Sequence, residues 1–174
     1  MRPAEYWINQ LDLQAHPEGG FYKETHRSAE TIPQNGLPTR FPGPRSFSTA
    51  IYFLLRSQDC SLFHRIKSDE LWHWHAGGTL SIYVLDRKGM KIHFLGDNPE
   101  KAEFPQLVIP ANAWFGAKVN QGDFVLAGCT VAPGFDFDDF ELADRRVLIN
   151  QYPAHKEVIE MLTRADFAAK APSH

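Results

Sequence analysis

From Ser46 onward, apolar and polar residues alternate with a period of two or run wholly apolar over short stretches. That is the pattern of strands. It predicts strands over Ser48–Leu55, Ser61–Ile66, Glu70–His75, Leu80–Asp86, Lys91–Leu95, Gln106–Ile109, Trp114–Val119 and Phe124–Val131. Turn-forming residues punctuate them at Gly77-Gly78, Arg87–Gly89, Gly96–Pro99, Pro110–Asn112 and Asn120–Gly122. Short strands at regular spacing predict an all-β sandwich or barrel.

The flanks follow other patterns. Pro3–Leu13 has helical spacing and stops before His16-Pro17 and Gly19-Gly20. Gly20–Arg27 alternates as a strand, and Ser28–Arg45, with four prolines and two glycines, reads as a long loop. Gly134–Glu141, GFDFDDFE, is an acidic, aromatic extension. Val158, Ile159 and Leu162 form the apolar stripe of a helix over His155–Thr163, which Pro153 is placed to start. One domain over 1–174 is expected: helix and strand over 1–27, loop over 28–45, β-domain over 46–143 and a helical segment over 144–174.

Composition narrows the function classes. The 174 residues are 43% hydrophobic with a net charge of −3, enough for one core. Lys and Arg are scattered, so no phosphate-backbone footprint is present and nucleic acid is not an expected partner. The longest apolar run, Ala50–Leu55, is too short to span a bilayer, so no membrane role is expected. Met1–Asn9 lacks the apolar centre of a secretory signal. Cys60 and Cys129 have no C-x-x-C spacing, and the simplest reading is a reduced, cytoplasmic protein. No Gly-rich phosphate loop, G-x-S-x-G elbow or H-E-x-x-H helix occurs.

The densest chemistry is Phe63–Gly78, FHRIKSDELWHWHAGG. Its spacing, His64-x-Ile66-x-x-x-Glu70-x6-Gly77, resembles the first motif of the cupin superfamily, G-x5-H-x-H-x3–4-E-x6-G. Ile66 stands where the second metal-binding histidine belongs. Pro110–Gly116, PANAWFG, echoes the second motif, with Phe115 at its histidine and Asn112 at its glycine. Two of the four usual ligands are therefore apolar. A divalent transition metal held by His64 and Glu70 alone would be bound weakly. The blocks HPEGGFYKETHRS, FHRIKSDELWHWHAGG, PANAWFGA and GCTVAPGFDFDDFELA more narrowly resemble the cupin-5, or DUF985, family. This resemblance implies a cupin jelly roll, commonly dimeric and similar to sugar-nucleotide epimerases of the RmlC type, with no settled activity.

His73 and His75 are the other candidate metal ligands. Strand alternation puts Glu70, Trp72 and Trp74 on one face and Leu71, His73 and His75 on the other. With Glu70 inward, both histidines face out, as hydrogen-bonded outer-face or dimer-interface residues, unless a bulge intervenes. His64 and Glu70 are the candidate catalytic pair, and Trp72, Trp114 and Phe115 complete the expected ligand pocket, with Trp74 assigned to the core. Asp136, Asp138, Asp139 and Glu141 read as a solvated acidic loop, with a loose resemblance to the acid partner of an epimerase histidine. Cys129 reads as an inert core thiol. Arg27, Arg40, Arg45 and Arg65 read as surface residues, with an anion-binding lid formed together with the Pro-rich loop left open as the alternative. The expected function is binding of a small polar metabolite, a sugar or nucleotide-sugar. The alternatives are a metal-dependent oxygenase or isomerase using His64 and Glu70, and an RmlC-like epimerase with His64 as base. A homodimer is expected, with the segment before Ser28 adding a strand to the partner's sheet.

Overall fold

The structure, a computed structural model, describes residues 2–165. In chain order its elements are α1 (Ala4–Gln10), β1 (Gln14–Ala15), β2 (Phe21–Arg27), β3 (Thr31–Ile32), β4 (Arg45–Ser46), β5 (Thr49–Arg56), β6 (Cys60–Arg65), β7 (Asp69–Asp86) and β8 (Gly89–Leu95). Then follow β9 (Glu103–Phe104), β10 (Gln106–Ile109), β11 (Trp114–Ala132), β12 (Glu141–Leu142), α2 (Arg145–Gln151) and α3 (Lys156–Met161). Ten strands form one sheet ordered β1-β2-β5-β11-β7-β8-β9, with β10 on β7 and β6 between β11 and β12. All of its pairings are antiparallel except β8 with β9. This is an all-β jelly roll: the period-two pattern predicts the sandwich or barrel, and the cupin resemblance implies the jelly roll.

Two predicted turns are absent. Gly77-Gly78 and Asn120–Gly122 lie inside continuous strands, so β7 merges two predicted strands and β11 another two. The two long strands pair with each other along most of their length, and the register shifts where these glycines face one another. A Cβ on Gly78 would sit 1.7 Å from the Gln121 carbonyl oxygen, and Gly77 and Gly122 have φ of +103° and +89°. Glycine therefore lets the strands bend and cross in contact here instead of ending. The first half of β7 carries β10 and the second carries β8, while β11 carries β6 and then β5.

Alternation along β5 separates the core from an outer layer. Ile51, Phe53 and Leu55 pack inside with Trp72, Ile82, Phe115 and Val125. Tyr52 and Leu54 pack outside with Ala4, Trp7 and Leu13 from α1 and its following turn. A third cluster, Phe63, Leu85, Trp114, Leu148, Ile159 and Leu162, seats α2 and α3 on the barrel's outside. The C-terminal helix expected over His155–Thr163 is shorter, because Pro153–His155 forms a separate 3-10 turn. In the segment before Ser28, β2 pairs with β5 of its own chain and β1 with β2. No helix among the described residues is long and apolar enough to cross a membrane.

The Pro-rich loop is built onto the barrel by two buried side chains, Phe41 and Arg45. Arg45 Nε and Nη2 donate to the two carboxylate oxygens of Asp139 at 2.6 and 2.7 Å, with both side chains buried. This pair, with Gly134 N–H to Ser46 O and Phe135 N–H to Thr49 Oγ1, ties the aromatic segment after β11 to the loop and to β5. Asp139 is thus a buried structural acid and not part of a solvated loop.

Candidate functional site

One end of the barrel encloses a cavity of about 140 Å³. Its walls come from β2 (Tyr22), β5 (Ile51, Phe53), β6 (His64), β7 (Glu70, Trp72) and β11 (Cys129, Val131). His16 and Glu18 enter from the loop after β1, and Phe135, Phe137 and Phe140 cover one side. Glu24, Arg27 and Phe137, all exposed, mark the opening.

His64 is clamped between two rings, with Phe115 at 4.1 Å between centroids and Phe140 stacked at 5.3 Å. Its Nδ1 lies 2.7 Å from the Leu62 carbonyl oxygen and 3.1 Å from Glu18 Oε2. A carbonyl only accepts, so Nδ1 carries the proton and Nε2 keeps the free lone pair. Burial pulls the His64 pKa down to about 3, against the smaller upward effect of the Leu62 carbonyl. His16 takes the opposite tautomer: its Nδ1 accepts the Glu18 backbone N–H at 3.2 Å, leaving Nε2 as a donor. Burial lowers its pKa to about 4.

The two carboxyls shift the other way. Glu18 is 5% exposed and accepts the Ser61 hydroxyl at 2.8 Å. Burial drives its pKa well above the ordinary value, the hydroxyl opposes this, and Glu70 nearby adds to the rise. Burial raises Glu70 to about 7. The Trp72 indole and Cys129 thiol lie close enough to offset part of that rise. Yet neither Trp72 Nε1 nor Glu70 Oε2, both buried, makes a hydrogen bond of normal geometry among the described residues.

His64, Glu70 and Trp72 meet in this cavity, but Trp114 and Phe115 do not line it. Trp114 points to the opposite side of its strand, into the cluster under α2 and α3, where Arg65 stacks on it at 4.4 Å. Phe115 packs beneath His64 in the core. Cys129 is a core thiol, as expected, pushed well above its ordinary pKa by burial, and it also lines the cavity. His73 and His75 are also outside. The register of β7 against β11 does slip at His75, but its ring stays on the outer face, edge-on to Tyr52 at 5.8 Å. The four arginines assemble no anion-binding lid. Arg45 is bound to Asp139, Arg65 to Glu141 and Arg40 to the Lys67 carbonyl, and Arg27, which reaches the opening, is held bidentately by Glu24.

His16, Glu18, Tyr22 and the phenylalanine trio are cavity residues that the sequence patterns did not single out. Tyr22 had a signal, since the alternation of GFYKETHR puts it on one face with Glu24. His16 and Glu18 lie in a loop, where no periodicity reports direction.

The donor set does not fit the metal of cupin enzymes. Ile66 lines the cavity and Phe115 is buried in the core, so hydrocarbon stands at two of the four ligand positions. Among the described residues no group of three or more His, Cys, Asp or Glu is placed to hold an ion. Elemental analysis of protein purified without added metal should give well under one transition-metal ion per chain. A stoichiometry near one, lost in His64→Ala, would show that a ligand set forms after all.

Residues 5–143 match the family described as Cupin superfamily (DUF985). A protein from Shewanella oneidensis, SO0799, of solved structure is 41% identical, with a TM-score of 0.84 over 94% of this chain and 99% of that one. A hypothetical protein from Leishmania major is 34% identical, with a TM-score of 0.83 over 93% and 99%. The uncharacterized protein YML079W of Saccharomyces cerevisiae is 29% identical over 76% of this chain and 71% of its own. Oxalate decarboxylase from Bacillus subtilis shares the fold alone, at 15% identity and a TM-score of 0.54 over 94% of this chain and 41% of that one. The match over residues 5–143 settles the assignment: this chain belongs to the DUF985 family of the cupin superfamily.

Proposed function

We propose that the barrel cavity binds one small polar metabolite of about the size of a sugar ring, with Glu70, Trp72 and His64 as its polar contacts. The observation that carries this is the pair of buried, unpartnered atoms on cavity-lining residues, Glu70 Oε2 and Trp72 Nε1. A buried polar group left unpaired costs roughly 1–3 kcal/mol, and a bound molecule that bonds to either of these neighbouring atoms would recover that cost. Aromatic side chains beside them offer stacking surface. The volume, about 140 Å³, limits what can be enclosed. It is close to the roughly 150 Å³ that holds a benzene ring. A nucleotide-sugar could place only its sugar inside, with the remainder leaving past Phe137 and Arg27.

Titration with a panel of small sugars and related metabolites, followed by ligand-observed NMR, should find a binder whose affinity drops at least about tenfold in Glu70→Gln, as expected on losing one charge-assisted hydrogen bond. The variant should keep the wild-type fold by circular dichroism. Unchanged affinity in a folded variant would make Glu70 purely structural and remove the centre of the reading.

A second reading, acid–base chemistry on the bound molecule, is supported by the fixed His64 tautomer with Glu18 behind it. A histidine pulled down to about 3 is a weak base at neutral pH and serves better as a hydrogen-bond acceptor. Glu70, near 7, is better matched to proton transfer there.

A further inference from the structure

The cavity holds more acidic groups than its cations or its hydrogen bonding account for. Two carboxyls, Glu18 and Glu70, reach into it from a loop and from β7, and both are more than nine-tenths buried. Among the described residues no buried lysine or arginine lines it. Arg27, the one cationic side chain among the described lining residues, is exposed and neutralised by Glu24 through bonds of 2.9 and 2.8 Å. Arg45, the buried arginine nearby in the fold, is spent on Asp139. The two cavity histidines add no positive charge, since each has one ring nitrogen committed to the backbone and burial keeps both neutral. Buried carboxyls without a compensating cation are disfavoured as anions. A ligand that carries positive charge supplies what the protein lacks, and an anionic ligand meets two acids.

The rest of the wall agrees with that sign. Six of the lining side chains are aromatic: Tyr22, Phe53, Trp72, Phe135, Phe137 and Phe140. Aromatic faces attract ammonium groups and do so most where water is excluded. Glu70 Oε2 makes no hydrogen bond of normal geometry among the described residues, although the Trp72 indole and Cys129 thiol are close by.

We propose that the molecule this cavity selects is a small organic cation, an amine whose ammonium sits against the Glu70 carboxylate within the aromatic wall. This rests on the reading that the cavity binds a small polar molecule, and it names the class. On binding, the ammonium holds Glu70 as its carboxylate and the carboxyl proton leaves to solvent. Trp72 Nε1 then faces an anion able to accept its N–H.

Three probes of one skeleton and different charge separate the class from the site: benzylamine, benzyl alcohol and benzoate, with xylose as a neutral polyol. Calorimetric titration of the full chain at pH 7.5, a condition set here at about neutrality where benzylamine is protonated, should give benzylamine at least about tenfold tighter than benzyl alcohol, the scale of a desolvated cation–π contact plus an ion pair. Benzoate should be weakest. In Glu70→Gln the ratio of benzylamine to benzyl alcohol affinity should fall to near one, since the charged contact that separates the two ligands is removed. Equal binding of the amine and the alcohol, or tighter binding of xylose or benzoate, would overturn the cation while leaving a binding cavity. No binding by any of the four would overturn both.

Discussion

Glu70→Gln is expected to stabilise the protein at pH 8, by about 3 kcal/mol relative to wild type, and to leave stability near pH 4 almost unchanged. The folded chain keeps the Glu70 proton up to about pH 7, whereas the unfolded chain releases it near 4.5. Between those values Glu70 holds its proton in the native state and not in the unfolded one, so its own contribution to wild-type stability falls as pH rises, and that loss is complete above about 7. Glutamine has no proton to release, so this loss disappears. On the acid side the two proteins should behave alike. His64 and His16 are held neutral down to about 3 and about 4, against 6.5 when unfolded, so stability falls in both as pH drops below 6.5. Urea unfolding from pH 4 to 8 reads both limbs. Parallel curves for the two proteins across the whole range would mean that Glu70 ionises freely in the folded state. The substitution should therefore improve the fold and weaken the binding site, as expected where a buried acid is kept for function.

Arg45→Ala should cost about 3–5 kcal/mol, the range for breaking one partner out of a buried ion pair. Asp139 would keep only Lys67, at 3.5 Å, and would lose both guanidinium bonds. Arg45→Lys should recover part of the loss, since an ammonium restores charge but not the planar fork. The double change Arg45→Met with Asp139→Leu should be milder than Arg45→Ala, because no buried charge is stranded. Urea midpoints measure all three. A loss below about 1 kcal/mol in Arg45→Ala would place the pair in the weak class of solvent-exposed bridges. The same variant should loosen Phe137 and Phe140, because Asp139 sits between them and carries their segment.

The strands were legible because a period of two is a local signal, and each predicted strand appears within a residue or two of its place. The errors at Gly77-Gly78 and Asn120–Gly122 have one cause. A glycine at positive φ looks the same in a turn and in a bend, and only the partners on either side distinguish them: here β10 and β8 on β7, β6 and β5 on β11. Within the site, Glu70 and Trp72 were readable from parity and His64 from its motif. Parity also contained the warning about Trp114 and Phe115, since adjacent strand residues cannot share a face. Glu18 was not readable, because it comes from a loop. Neither was the Arg45–Asp139 bond, which joins residues 94 apart.

The two long strands also constrain motion. A sandwich whose walls are separate sheets can gape along the seam to admit a guest. Here β7 and β11 run unbroken from one wall into the other and are zipped together, so parting the walls would tear the ladder at the molecule's centre. Traffic into the cavity is left to the parts hung on that frame, the phenylalanine segment and the loop carrying His16 and Glu18. A vessel framed this way is expected to breathe at its rim and not along its walls.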